Sequence, residues 1–366
     1  MKGKRGLDII LLFAVLALVG IGIVMVYSTS AIIAGDRFGD PYYFLKRQAL
    51  YAAVGFVLMI VMMFLPYEIL KRFAYPILVS SVLLLIAVLI PGIGHRTGGA
   101  MRWLKIQSFS FQPSEFAKLG LVIFLAYLLT KKEEKIRSFS FGFLPPVLLS
   151  GLVIALVMKE PDFGAAFFLT VMVFLLLFVG GARVIYIASA FLIAIPIAYA
   201  LLMNVGYRYK RLMSFIRPWE DPSGTSFQII QSFLSFGSGG LFGLGLGEGR
   251  QKLFFLPAPH TDFIFSVIGE ELGLVGATVV VLLFFILTLR GIQIGLSLED
   301  RFGVYLALGI TLMISLQAVI NMGVVLGLLP TKGLTLPFIS YGGTSLIANL
   351  AAVGILFQLS THVERR

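Results

Sequence analysis

The sequence predicts an all-α polytopic membrane protein, with about ten transmembrane helices and one large loop, at about 204–264, between the seventh and the eighth. Three observations carry that prediction. Of the 366 residues, 58% are hydrophobic and only 13% are charged, about half the charged share of a soluble domain. The apolar residues fall into runs of roughly 17–25, the length that crosses a bilayer core as a helix. No hydrophilic block is long enough for a separate soluble domain, so residues 1–366 read as a single membrane domain.

The first span, about 9–29, follows the basic start Met1-Lys2-Gly3-Lys4-Arg5. Charge and apolar run are laid out as in a signal sequence, but the run exceeds a signal h-region and no small-residue cleavage site follows. It reads as an uncleaved span. The second, about 49–65, is closed by Pro66, Lys71 and Arg72, and the third is about 75–92. A connection carrying His95, Arg96, Arg102, Trp103 and Lys105 leads to the fourth, about 115–130, which ends in a charged run at 131–137. The fifth and sixth, about 142–158 and 163–181, are separated only by Lys159-Glu160-Pro161-Asp162. Arg183 precedes the seventh, about 184–203. After the long loop come the eighth, about 265–289, and the ninth, about 303–328. A loop with Lys332 and Pro337 leads to the tenth, about 344–360.

An even number of spans puts both termini on one side. The short loops on that side hold Lys71, Arg72, the 131–137 cluster, Arg183, Arg290 and Arg301, which makes it cytoplasmic by the positive-inside rule. The long loop then faces outward, with the loops holding Trp103, Asp162 and Lys332. The net charge of +11 does not fit nucleic acid, because the basic residues are scattered between apolar spans. Outward loops nevertheless gather Arg102, Lys105, Arg208, Lys210, Arg211, Arg217, Arg250, Lys252 and Lys332. Singly these are solvated charges; together they suggest an anionic ligand such as a phosphate. The absence of cysteine excludes disulfides and thiolate metal sites, and His95, His260 and His362 lie far apart. No internal repeat is evident, against an inverted-repeat transporter.

The stretch most open to chemistry is Arg250-Gln251-Lys252-Leu253-Phe254-Phe255-Leu256-Pro257-Ala258-Pro259-His260-Thr261-Asp262. Asp262 stands just before an apolar helix. It is either a helix cap, with Thr261 as the other candidate, or a catalytic carboxylate at the membrane–water boundary. In Gln112-Pro113-Ser114-Glu115-Phe116-Ala117-Lys118, Ser114 is placed to cap, and Glu115 and Lys118 share a helix face and can pair. Such a pair at the top of a span needs protein or a wet cavity around it. Asp162 is either a cap or a residue of the outer cavity, with Pro161 suited to the first turn of the next helix. Glu270 and Glu271 lie two turns into the eighth span, about 12 Å from Asp262, too far to share its proton. The glycine-dense run 237–249 lacks the flanks of a nucleotide loop; it suits close backbone packing and movement over a ligand. The apolar run 227–242 suits the interface plane. Irregular backbone at 330–343, with Lys332 and Ser340, suits a wall of an outer site or a re-entrant turn.

These segments, in this order and spacing, resemble the SEDS family of bacterial cell-wall proteins, which includes FtsW, RodA and SpoVE. The resemblance covers essentially the whole chain. It is carried by Arg102-Trp103, Phe111-Gln112-Pro113-Ser114-Glu115, Glu160-Pro161-Asp162, Gln228-Ile229-Ile230-Gln231-Ser232, and the stretches 250–262 and 327–343. The form Gly327-Leu328-Leu329-Pro330-Thr331-Lys332-Gly333 is closer to the FtsW branch than to the RodA branch. The resemblance implies a peptidoglycan glycosyltransferase that polymerises lipid II on the outer face of the membrane, with the family's essential carboxylate at Asp262. It also implies a class B penicillin-binding protein as partner, with other division proteins and membrane lipid. Asp262 would then act as general base on an acceptor sugar. Arg102, Trp103, Glu115, Lys118, Asp162, Arg208, Arg211, Arg217, Arg250, Lys252, Lys332 and Ser340 would form the substrate site. A divalent cation, magnesium or manganese, would assist the leaving pyrophosphate, with no ligand assigned to it. Three alternatives remain at this point: a flippase for the same lipid precursor, a RodA-type polymerase serving elongation, and a scaffold that only recruits the transpeptidase, in which Asp262 would be replaceable.

Overall fold

A computed structural model of the chain describes residues 7–97, 100–106, 109–203, 213–222, 224, 226–250, 259–330 and 333–363. Among these, seven helices are long and apolar enough to cross a membrane. They are α1 (Ile9–Phe38), α2 (Tyr43–Phe64), α5 (Pro113–Lys131), α6 (Leu144–Lys159), α10 (Ile264–Leu296), α11 (Arg301–Val325) and α12 (Gly343–Ser360). For α6 the apolar stretch begins earlier, at Phe139. The shorter apolar helices α4 (Ala74–Leu89), α7 (Phe163–Val179) and α8 (Val184–Met203) occupy the other three expected spans. A one-turn helix, α3 (Tyr67–Arg72), joins α2 to α4.

Local signals in the sequence set these boundaries. Asp8 caps α1 by accepting from the Leu11 amide at 3.0 Å, and Gly39 ends it at φ 69°, a conformation glycine reaches without a Cβ clash. Asp162 caps α7 and Asp300 caps α11, each through an amide three residues on. Prolines open α5 and α6, where the missing N–H costs nothing.

Helices α5, α11 and α12 form the buried centre, and α2 packs along α12. That contact is close because its residues are small: a Cβ on Gly354 would strike the Met59 carbonyl, and one on Gly55 would strike Leu350. Val57, Phe64, Leu83, Leu192 and Phe285 point outward, as a lipid-facing surface requires. One end of the bundle is tied by Arg290 to Asp8 (2.6 Å) and by Arg301 to Glu133 (3.0 Å). The opposite end carries all the irregular segments considered below.

That end departs from expectation in four places. The connection 92–114 is not a loop but a small antiparallel sheet of β1 (Gly94–Thr97), β2 (Ala100–Ile106) and β3 (Phe109–Phe111). Two residues separate each pair of strands, the spacing of a tight hairpin. The long loop contains a helix, α9 (Phe227–Gly239), which lies on α10, with the Ser232 hydroxyl donating to the Val325 carbonyl of α11 at 2.7 Å. Helix α10 is broken at Gly273 (φ 65°, ψ −165°). Finally, α5 starts at Pro113 without a side-chain cap; Ser114 lies inside the helix and its hydroxyl accepts from Gln112 Nε2 at 3.0 Å. Pro161 likewise stays outside α7, before its cap Asp162.

Candidate active site

Two irregular segments, 259–263 and 333–342, meet where α10, α11 and α12 come together. Their backbones are stitched to one another. The Tyr341 amide donates to the His260 carbonyl (2.8 Å), and the Ser340 hydroxyl donates to the Thr261 carbonyl (2.6 Å). The side-chain amide of Asn321, from α11, donates to the carbonyls of Asp262 (2.9 Å) and Leu334 (2.6 Å). Three successive peptide carbonyls, at 260, 261 and 262, are therefore fixed by partners. Ser340 itself is buried, accepts from the Leu336 amide, and receives Gln48 Nε2 at its carbonyl.

The half-buried Asp262 is held in this frame and does not cap the helix. Helix α10 begins at Ile264 with Phe263 at its cap position and no side-chain cap bond. The Asp262 Oδ2 lies 3.3 Å from where a Cβ on Gly333 would stand, so glycine there leaves the carboxylate its room. His260 beside it is packed against Phe44 (4.5 Å) and Tyr341 (5.6 Å). Burial, and next the Arg37 charge, hold its imidazole down at about 4, so the ring is neutral.

A buried polar chain runs beneath. Lys118 has 1% of its surface exposed; its ammonium donates to Glu115 Oε1 at 2.7 Å and to Gln317 Oε1 at 2.9 Å. It also sits over the Phe168 ring. Gln317 passes the chain on to the Thr335 carbonyl at 2.9 Å, and the Thr335 hydroxyl donates to Ser345 at 3.1 Å. The expected Glu115–Lys118 pair thus exists, and it acts through Gln317 on the segment that carries Ser340.

To one side, Arg102 of β2 fastens the sheet to the α6–α7 turn. Its guanidinium donates to the carbonyls of Glu160 and Pro161 and lies 3.5 Å from Asp162 Oδ2. Asp162 is therefore both cap and ion-pair partner. Trp103, half-exposed, pairs across the hairpin with His95. The Thr344 hydroxyl, in the first turn of α12, receives the Gln112 amide and donates to the Ser110 carbonyl, which joins the sheet to the centre.

Glu160 has no exposed surface, and neither carboxyl oxygen has a hydrogen-bond partner among the described residues. Burial, and next Asp162, push its carboxyl up to about 8 against the pull of Arg102. Between the ordinary value of 4.5 and about 8, the folded protein therefore keeps a proton that the unfolded chain has released. Its contribution favours folding at low pH and is lost as pH rises through that window. A Glu160→Gln variant should gain stability relative to wild type across the same window, read as a growing difference between melting temperatures. Parallel curves would show that the carboxyl is ionised in the fold.

Residues 9–365 match the FtsW/RodA/SpoVE family, described as a cell cycle protein. The chain belongs to this family. It is 50% identical over 357 residues to a probable peptidoglycan glycosyltransferase FtsW of Geobacter metallireducens, covering 98% of this chain and 95% of that one. It is 43% identical to the stage V sporulation protein E of Bacillus subtilis, with 98% of each chain covered. Among solved structures it matches, at 33% identity and TM-score 0.80, a chain of a peptidoglycan synthase complex studied for the coordination of polymerization and crosslinking, with 97% of each covered. The rod shape determining protein RodA of Thermus thermophilus gives 31% and 0.70, with 98% of each covered.

Within this FtsW/RodA/SpoVE fold the expected site residues separate by position. Asp262, Ser340, Glu115 and Lys118 are joined through one hydrogen-bonded frame, and Arg102, Trp103 and Asp162 flank it through the sheet. Arg217 is exposed and paired with Glu220 at 3.0 Å. Arg250 is exposed at the end of the glycine-dense run. Arg208, Lys210, Arg211, Lys252 and Lys332 lie outside the described residues. The reading of the sequence missed Gln317 and Asn321. Their signal was available: two carboxamides one turn apart in an apolar span mark a polar site. Among the described residues no group of three or more His, Asp or Glu converges as a metal site, so no divalent cation is assigned ligands here.

Proposed function

We propose that this family member is a peptidoglycan glycosyltransferase of the FtsW type, which polymerises lipid II on the outer face of the cytoplasmic membrane for septal wall synthesis. The observation that carries the reading is Asp262: a carboxylate held by its backbone in a stitched frame at one end of the bundle, with no capping role. The asymmetry of short basic loops supports placing that end on the outside.

In the proposed reaction Asp262 takes the proton of an acceptor sugar hydroxyl. The hydroxyl oxygen bonds to the anomeric carbon of the donor, and the bond from that carbon to the pyrophosphate oxygen breaks. Polyprenyl pyrophosphate leaves with the bonding electrons, and the proton on Asp262 passes to water. Cationic side chains of the long loop, Arg250 among the described ones, meet the charge on the leaving group. One displacement inverts the anomeric centre and gives a β-linked strand; among the described residues no second carboxylate is joined to the Asp262 segment as a covalent nucleophile would need. The match to a synthase complex that couples polymerization with crosslinking supports a transpeptidase of the class B penicillin-binding type as partner.

The purified protein, with its cognate transpeptidase, should convert labelled lipid II into glycan polymer. Translocation of lipid II in liposomes without polymer would overturn this reading in favour of a flippase.

A further inference from the structure

Glu270 and Glu271 are both about 1% exposed, two turns into a predominantly apolar helix. Carboxylates so placed are costly unless their oxygens are satisfied. Among the described residues, Glu270 Oε1 and the Glu271 carboxylate find partners in the glycine-dense loop and in α1. Glu270 Oε1 accepts the Arg250 amide at 2.7 Å. Glu271 Oε2 accepts the Gly247 amide at 3.1 Å, and the Ser28 hydroxyl donates to the same carboxylate at 2.6 Å.

The loop is also threaded into the break of α10. The amides of Leu244 and Gly245 donate to the carbonyls of Glu270 and Glu271, each at 3.0 Å. Beyond Gly273, the amides of Leu274 and Val275 donate to Gly240 and Leu241, at 3.0 and 3.1 Å. The break thus frees backbone groups that the loop satisfies, as helix interruptions at membrane depth require. Gly243, at φ 82°, lies against the Glu271 carbonyl with no space for a Cβ. The loop expected to move over a ligand is instead fastened along its length.

Arg250 and residues 260–262 are therefore both tied to α10 and the segments packed against it. Arg250 is held by Glu270, and the carbonyls of 260–262 by Tyr341, Ser340 and Asn321. With both carboxylates already bonded to amides, and with no donor of their own to offer, neither is suited to bind an anion. We infer that Glu270 and Glu271 are positioning residues that hold Gly247 and Arg250, at the end of the glycine-dense loop, in one place, so that the Arg250 side chain meets the pyrophosphate of a polyprenyl-linked donor. The inference rests on the function proposed above for its ligand class.

The test is binding of undecaprenyl pyrophosphate to the full-length protein, without turnover, together with hydrogen exchange over 243–250. Glu270→Ala should weaken binding about tenfold and speed exchange at Arg250. Glu270→Gln, whose carbonyl oxygen can still accept the amide, should remain within about threefold of wild type. Arg250→Ala should also weaken binding about tenfold, and the double variant should be no weaker than either single one, because both remove one arrangement. If Glu270→Ala fails to fold, Gly249→Ala serves instead: its Cβ would stand about 3.0 Å from Glu271 Oε1 and 3.1 Å from Glu270 Oε2, and should displace the loop with the same loss. Additive losses, or faster exchange with unchanged affinity, would reduce the pair to a structural role and overturn the inference; so would wild type that fails to bind. Wild type that binds the pyrophosphate with the expected variant pattern, yet makes no polymer, would uphold the clamp and sink the proposed function.

Discussion

An Asp262→Asn variant should lose polymerisation by about 10²–10⁴-fold while keeping its fold. Asparagine preserves the size and shape of the side chain but cannot take a proton at neutral pH. The segment's anchors, from Asn321, Ser340 and Tyr341, all reach backbone carbonyls and survive the change. Since the side chain caps no helix, the cost in stability should stay within about 1 kcal/mol. An Asp262→Glu variant separates presence of a carboxylate from its placement. The extra methylene advances the carboxylate into the space that Gly333 leaves open, where a Cβ would stand 3.3 Å from Oδ2, and so moves it off its native position. A misplacement of about 1 Å costs on the order of 100-fold. Polymer yield from labelled lipid II, with melting temperature measured in parallel, checks both. Wild-type yield from the asparagine variant would remove Asp262 as the base.

Why the role of Asp262 was undecided in the sequence is instructive. A polar residue before an apolar run is a cap in most chains, and only the position of the first helical residue excludes it. Here the helix starts one residue later than a cap at Asp262 needs, because the Asp262 and Thr261 carbonyls are captured by residues about 60 and 80 positions away. No local pattern reports such partners. The spans were legible because bilayer thickness imposes a length on every apolar run, and observed boundaries such as 184–203 coincide with the expected ones. The sheet at 94–111 was overlooked because its strands are short and mixed in polarity; only the two-residue gaps announced it. The pairing of Glu115 with Lys118 was readable from helical spacing, whereas its link to Gln317 spans 199 positions and needed the fold.

That link supports the second large effect. A Lys118→Met variant should be destabilised by about 3–5 kcal/mol, because Glu115 keeps its charge in a buried setting with its partner gone. A Glu115→Gln, Lys118→Met double variant removes both charges, and its melting temperature should return most of the way to wild type. Polymer yield should not return with it. Gln317 would still lack the ammonium that orients its carbonyl oxygen, and the Thr335 carbonyl would lose a fixed donor. The 333–342 segment, which holds the Thr261 and His260 carbonyls and so places Asp262, would then sample more than one position. Recovered stability with activity at least about tenfold below wild type would identify the buried pair as part of the positioning frame. Recovery of both together would show that α5 contributes only packing, and that Asn321, Ser340 and Tyr341 suffice to aim the carboxylate.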